Sequence, residues 1–159
     1  MNQTMIWFGR YEGWLRYLAK GVRAGDKDCI VRAAKLFDLM LPDHCVVVPM
    51  PGHTGLATRM LDVAHALPDG KRFLMDALTS EPHESSFSQK KAGFTLDQIS
   101  MKFHHAALER CPQADFKGGI FVIDNVVCTG TTATAAVKAI QDCSGLDAKV
   151  VTLAYATWR

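Results

Sequence analysis

The chain has 159 residues, of which 48% are hydrophobic and 21% are charged, a composition typical of one globular domain. Eighteen basic against sixteen acidic residues give a net charge of +2, which does not indicate DNA as a partner, and no apolar stretch reaches the ~20 residues of a membrane span. No two of the five cysteines form a Cys-x-x-Cys pair, which argues against a zinc knuckle or a disulfide framework and favours a reducing, cytoplasmic location.

The first part of the chain predicts a short edge strand followed by helices. The strand is expected in MIWFGRY (5–11). A helix is expected in DKDCIVRAAKLFDLML (26–41), because this segment opens on an acidic cap and ends before Pro42.

The rest of the chain alternates between strand and helix patterns. Apolar runs rich in β-branched residues, bounded by Gly, Pro or Asp, predict buried strands at 45–50, 119–124 and 149–156, with a weaker one at 71–78. Amphipathic helical patterns lie at 54–67, 95–110 and 131–143. This alternation predicts a single-domain α/β fold in which helices flank a parallel sheet.

A polar turn, IDNVVCTGTT (123–132), follows the third of these strands. Ligands bind at the carboxyl ends of parallel strands, and the unpaired amides of a helix N-terminus attract anions. Gly130 allows close approach to the backbone, and Thr129, Thr131 and Thr132 add hydroxyl groups, so the turn predicts a phosphate site. The alternative is that the threonines only cap the helix.

The order of residues in this turn closely resembles the phosphoribosyl-pyrophosphate (PRPP) motif of type I phosphoribosyltransferases. Four apolar residues precede Asp124 and Asn125, and Thr-Gly-Thr-Thr follows after a short spacer. The resemblance implies that Asp124 binds a ribose hydroxyl and that Asp124 and Asn125 occupy the catalytic positions. Asn125 replaces the second acid, which removes one negative charge near the reacting ribose and favours binding over turnover. The implied 5-phosphate loop consists of Val127, Cys128, Thr129, Gly130, Thr131 and Thr132.

Two further segments match loops that contact pyrophosphate in this family. The implied pyrophosphate loop follows VVVPM and consists of Pro51, Gly52, His53 and Thr54, with a Pro-Gly turn and a Thr cap as the alternative. The long polar segment 79–94 corresponds to the lid, with Ser88, Gln89, Lys90 and Lys91 as candidate contacts; a surface loop is the alternative. The family uses Mg²⁺ carried by PRPP, which implies no direct protein ligand. Arg59 is expected at the surface.

The wider pattern resembles the ComF-like, amidophosphoribosyltransferase-like branch of the family. The resemblance rests on Tyr11-x-Gly13-x-Leu15-Arg16, on Lys20, Arg23 and Gly25, on Pro49 with Pro51, and on Thr152-Leu153-Ala154. It implies a phosphoribosyltransferase-like domain over 1–159, with a helical hood at 1–43 and the core at 44–159.

This resemblance implies a glycosyltransferase-class enzyme of nucleotide metabolism. Its ligands would be PRPP or a nucleoside monophosphate and a nitrogenous base or amine acceptor, with pyrophosphate as co-product. Two alternatives stay open: a non-catalytic PRPP- or nucleotide-binding regulator, and a ComF-like protein of DNA uptake or processing. Trp7 and Trp14 are candidate anchors of a homodimer, as well as candidate hood or core residues.

Overall fold

The computed structural model describes residues 5–83 and 99–157. The strands are β1 (Met5–Arg10), β2 (Val46–Pro49), β3 (Phe73–Leu74), β4 (Leu78–Ser80), β5 (Met101–Phe103), β6 (Ile120–Val127) and β7 (Ala148–Tyr155). The α-helices are α1 (Gly13–Ala24), α2 (Lys27–Met40), α3 (Thr58–His65), α4 (Gln113–Phe116) and α5 (Thr131–Ser144), and a 3-10 helix spans His105–Arg110. None of the helices in these two ranges is long and apolar enough to span a membrane.

Five strands form one parallel sheet in the order β1-β7-β6-β2-β3. The register aligns Ile120 of β6 with Val46 of β2 on one side and with Ala148 of β7 on the other. The structure therefore confirms an α/β fold with a parallel sheet flanked by helices, and it confirms the expected edge strand as β1.

Helices cover the sheet in two layers. The α1, α2 and α3 helices pack against one another and against the central strands, whereas α5 packs on β6, β7 and β5. Four successive residues of β6, Ile120–Ile123, are buried, which requires cover on both faces of the sheet. Each face of the central strands is therefore closed by its own set of helices.

Both ends of α2 have side-chain partners. At its start, the Asp26 carboxylate accepts a hydrogen bond from the Cys29 amide at 2.9 Å, which confirms the expected acidic cap. At its end, Arg72 donates to the carbonyl oxygens of Asp38, Leu41 and Pro42 and forms an ion pair with the Asp38 carboxylate. Arg72 thereby satisfies carbonyl groups that a helix leaves unpaired, and its guanidinium lowers the pKa of Asp38.

The prediction of a helix at 95–110 is wrong for residues 99–110, the part of this range that the structure describes. Residues 101–103 form β5, which pairs antiparallel with β4, and a 3-10 helix follows. Phe103 is buried opposite Leu78 while Lys102 is exposed, an alternation that belongs to a strand. The helical spacing of Ile99, Phe103 and Leu108 is therefore misleading, because pairing with a distant strand decides the conformation.

Two other elements are shorter than their patterns suggest. The weak strand at 71–78 divides into β3 and the start of β4. The α3 helix starts at Thr58, because 52–56 form a tight turn in which the Gly52 amide donates to the Leu56 carbonyl at 2.9 Å. This turn leaves the end of β2 joined to α3 by a loop instead of a longer helix.

Candidate active site

A cavity of about 790 Å³ opens at the carboxyl ends of the parallel strands. It lies beside β2 and β6, where the chain path through the sheet reverses direction, which is the usual position of ligand sites in such sheets. Its size is that of a small-molecule site. Its lining includes Tyr11, Arg23, Pro51, Gly52, His53, Thr54, Arg59, His83, Asp124, Asn125, Val127, Cys128, Thr129, Gly130 and Thr132.

The threonine turn forms one wall of this cavity. Gly130 has a φ of 80°, a left-handed conformation that favours glycine. The first helical hydrogen bond of α5 runs from the Thr134 amide to the Gly130 carbonyl at 2.8 Å, so the amides of 131–133 precede it. This geometry places a helix N-terminus with its partial positive charge at the cavity.

Thr131 differs from its neighbours in the turn. It is 9% exposed, its hydroxyl lies 2.8 Å from that of Thr129, and its amide donates to the Thr129 hydroxyl at 3.3 Å. Thr129, Gly130 and Thr132 line the cavity, whereas Thr131 is not among the lining residues. Thr131 therefore holds the turn in shape, and the other three residues form the surface that a ligand would meet.

Asp124 lies at the cavity within β6, which continues to Val127 and thus beyond the strand end expected at 124. Burial raises the pKa of its carboxyl group to about 6, although the Asn125 amide hydrogen bond at 2.7 Å and the positive charge of Arg23 both act to lower it. The carboxylate is thus mainly ionised at neutral pH, where it can accept hydrogen bonds from hydroxyl groups of a ligand.

Asn125 connects β6 to α1. Its side-chain Nδ2 donates to the carbonyl oxygen of Ala19 at 2.8 Å, and its backbone carbonyl oxygen accepts a hydrogen bond from the Thr152 hydroxyl at 3.0 Å. Its Oδ1 is buried and has no hydrogen-bond partner among the described residues. The amide therefore has a structural role that the sequence did not show, because a carboxylate could not donate to Ala19.

The loop 51–54 reaches the same cavity. Backbone hydrogen bonds hold this region against the segment after β4: the Ser80 amide donates to the Gly55 carbonyl, and the His83 amide donates to the His53 carbonyl, each at 3.0 Å. Gly55 has a φ of 89°, and a Cβ atom there would overlap the carbonyl oxygen of Ser80. Glycine is required for this close approach.

The structure adds arginine and histidine residues that the motifs did not assign to the site. The Arg59 side chain is 50% exposed, which confirms its expected place at the surface; it also lines the open cavity beside Gly25 and pairs with Asp62 at 3.4 Å. Arg23 and His83 also line the cavity. Arg59 could have been assigned to the site from the sequence, because it follows the 51–54 loop closely. His83 could not, because it reaches the cavity only when its segment pairs with that loop in the folded structure.

Not every expected site residue can be placed. The lid candidates Ser88, Gln89, Lys90 and Lys91 lie outside the described residues. Within the described ranges, no group of three His, Cys, Asp or Glu residues is arranged to hold a metal ion. The structure does bring Asp124, Asn125, the 51–54 loop and the threonine turn to one cavity.

Comparison with known proteins adds no assignment: no family model matches the chain, and no curated protein matches it significantly.

Proposed function

We propose that this protein binds PRPP or a ribose 5-phosphate nucleotide and transfers the phosphoribosyl group to or from a nitrogenous acceptor, with pyrophosphate as co-product. The observation that carries the proposal is the cavity in which the threonine turn 129–132, Asp124 and the loop 51–54 meet. On this proposal the chain is a type I phosphoribosyltransferase-like protein of the ComF-like branch.

Each part of the cavity has chemistry suited to one part of such a ligand. The helix N-terminus and the hydroxyl groups of Thr129 and Thr132 suit a dianionic sugar phosphate. The Asp124 carboxylate suits ribose hydroxyl groups, and its negative charge would stabilise positive charge that develops on the ribose ring as pyrophosphate leaves. Arg23 supplies positive charge at the same cavity.

The donor set of the cavity also suits a magnesium ion that arrives with its ligand. Among the described residues that line the cavity, Asp124 is the one carboxylate. Mg²⁺ commonly binds one or two carboxylates together with substrate phosphate oxygens and water. We therefore expect diphosphate oxygens and water to hold the ion, which would neutralise part of the charge of the leaving group.

Ribose 5-phosphate binding tests the phosphate site directly. Isothermal titration calorimetry on the wild type should detect binding, and Thr132→Val should weaken it about tenfold or more, because a hydrogen bond to a charged group contributes about 1.5–3 kcal/mol. Thr79→Val makes the same change on β4, outside the cavity lining, and should leave the Kd within about twofold. Absence of binding by the wild type at millimolar concentration would refute the proposal.

A pyrophosphate-release assay separates an enzyme from a binding protein. PRPP and Mg²⁺ are supplied with a panel of purine, pyrimidine and amine acceptors. Release that depends on an acceptor, and that is lost in Asp124→Asn, is the expected result. Binding without release would instead support the regulator alternative, which one observation favours: the second acidic position holds an amide committed to Ala19.

A further inference from the structure

The strand β1 lies at one edge of the parallel sheet. Among the described strands it pairs only with β7, so its outer side has no partner strand in that part of the chain. The Tyr11 amide donates to the Tyr155 carbonyl at 2.9 Å, towards β7. Because backbone groups alternate between the two sides of a strand, the amides of Phe8 and Arg10 point the other way. The outer side of β1 therefore presents hydrogen-bonding groups that a further strand could pair with.

This edge lacks the features that commonly keep strand edges from pairing. Natural edge strands are blocked by proline, by charged side chains or by a bulge. The β1 sequence, MIWFGR, contains no proline, and its one charged residue is Arg10 at the end of the strand. Its register with β7 keeps a constant offset from Met5 to Arg10, so no bulge interrupts it. The edge is therefore regular along its length.

Four exposed aromatic residues lie at or beside this edge. Trp7 and Phe8 belong to β1, and Trp14 and Tyr17 lie three residues apart on α1, on the same side of the helix. The four residues are 41–69% exposed. The rings of Phe8 and Trp14 are in edge-to-face contact at 5.9 Å, and Trp7 stacks on Tyr155 at 5.4 Å. These contacts order the rings before a partner binds, which lowers the entropic cost of association.

The exposed aromatic surface is large enough to form much of a dimer interface. It includes Trp7 and Trp14, the residues that the sequence alone offered as candidate dimer anchors. A fully buried aromatic side chain covers about 150–250 Å², so these four residues expose roughly 400–500 Å² in each copy of the chain. Two copies would together cover roughly twice that area, and a specific interface buries about 1,200–2,000 Å² in total. The strand backbone and the flanking polar side chains would supply the remainder.

We propose that two copies of this chain form a symmetric dimer in which their β1 strands pair antiparallel, joining two five-stranded sheets into one. Most soluble oligomers are two-fold symmetric, and antiparallel pairing of identical strands obeys that symmetry. With the axis at Phe8, Arg10 of one copy lies opposite Ile6 of the other, so like charges do not meet. The same register places Trp7 opposite Gly9 of the other copy, where no side chain obstructs the indole ring.

The open strand edge favours a second copy over other partners of an aromatic surface. Membrane interfaces and single-stranded nucleic acids also attract exposed aromatic and basic residues. Neither offers the regular series of backbone donors and acceptors that the outer side of β1 can pair with, whereas a second β1 does. None of the four aromatic residues is among those that line the cavity, so the inference does not depend on the proposed function.

Sedimentation velocity of the full chain at concentrations up to about 100 μM tests the dimer, because it detects a Kd in the micromolar range. Arg10→Pro removes an amide that faces the open edge, whereas its control Arg10→Ala removes the same charge and keeps the amide. Tyr17→Ser removes part of the aromatic surface, and its control is Leu39→Ser, a similarly exposed apolar residue of α2. Thermal melting shows whether each variant is folded.

The wild type and the two controls should sediment with twice the mass of the chain. Arg10→Pro should weaken the dimer at least about tenfold relative to Arg10→Ala, and Tyr17→Ser about tenfold relative to Leu39→Ser. If Arg10→Pro does not fold, the Tyr17→Ser comparison still decides the outcome.

A monomeric wild type would overturn the inference, including one whose aromatic residues instead bind anionic vesicles or a single-stranded oligonucleotide. A dimer that Tyr17→Ser does not weaken would also overturn it. Equal dimer affinities of folded Arg10→Pro and Arg10→Ala would overturn the strand pairing, since only the proline variant lacks the amide.

Discussion

Replacing Asn125 by aspartate tests whether the amide at this position is structural. In the structure its Nδ2 donates to the Ala19 carbonyl at 2.8 Å, and Ala19 itself is only 1% exposed. An aspartate would introduce the negative charge that the resembled motif of type I phosphoribosyltransferases has at this position. It would also place an ionised oxygen against a carbonyl oxygen, with no proton between them. The introduced charge would therefore lower the stability of the fold.

The size of that cost follows from the contact that is lost. A net hydrogen bond contributes about 0.5–1.5 kcal/mol, and leaving a buried polar group unpaired costs about 1–3 kcal/mol, more when the group is charged. We therefore expect Asn125→Asp to lower the free energy of unfolding by about 2–4 kcal/mol at pH 7.5. Asn125→Ala removes the hydrogen bond without adding charge, so its loss should be about 1–2 kcal/mol.

The pH dependence distinguishes the two variants. A protonated carboxyl group can donate to the Ala19 carbonyl, so the folded state raises the pKa of the introduced aspartate. A raised pKa means that the folded state binds more protons, so Asn125→Asp should regain stability as the pH falls and lose it as the pH rises. Urea denaturation of both variants from pH 7.5 to pH 5 measures this, and subtracting the Asn125→Ala curve removes the contribution of Asp124. An aspartate variant as stable as the wild type, or one whose cost does not change with pH, would refute the role assigned to the amide.

Two further predictions concern contacts that hold the fold and the loop. Arg72→Met should lower the free energy of unfolding by about 3 kcal/mol in urea denaturation, whereas Lys71→Met should cost under about 1 kcal/mol, because the Lys71 side chain is 45% exposed. Because Arg72 lowers the pKa of Asp38, the part of this stabilisation that comes from the ion pair is present above pH 3.8 and is lost as the pH falls below it, so the stability curves of the wild type and Arg72→Met should approach each other in acid. Gly55→Ala should cost at least about 1 kcal/mol more than Gly70→Ala, because both glycines have positive φ but only position 55 would overlap a carbonyl oxygen. Equal melting temperatures for the two alanine variants would contradict the close approach.

The threonine turn illustrates what can be predicted from local sequence. A buried strand, a glycine and a helix that follows it are encoded within 120–144, and the structure contains β6, a left-handed Gly130 and α5 in that order. The helix expected at 95–110 shows the limit, because a spacing that satisfies a helix can be overridden by pairing with another strand. A local helical pattern predicts the structure correctly when no other strand is placed to pair with the same residues.

The sequence by itself determined the alternation of strands and helices, the parallel sheet and the positions of the two loops at its carboxyl edge. These depend on apolar runs, caps and turns, which act over a few residues. Only the tertiary structure decided which strands are neighbours, that Asn125 binds Ala19 across 106 positions of sequence, and that His83 meets His53. Such contacts depend on how distant segments pack once loop-closure entropy has been overcome, and no local pattern of residues specifies them.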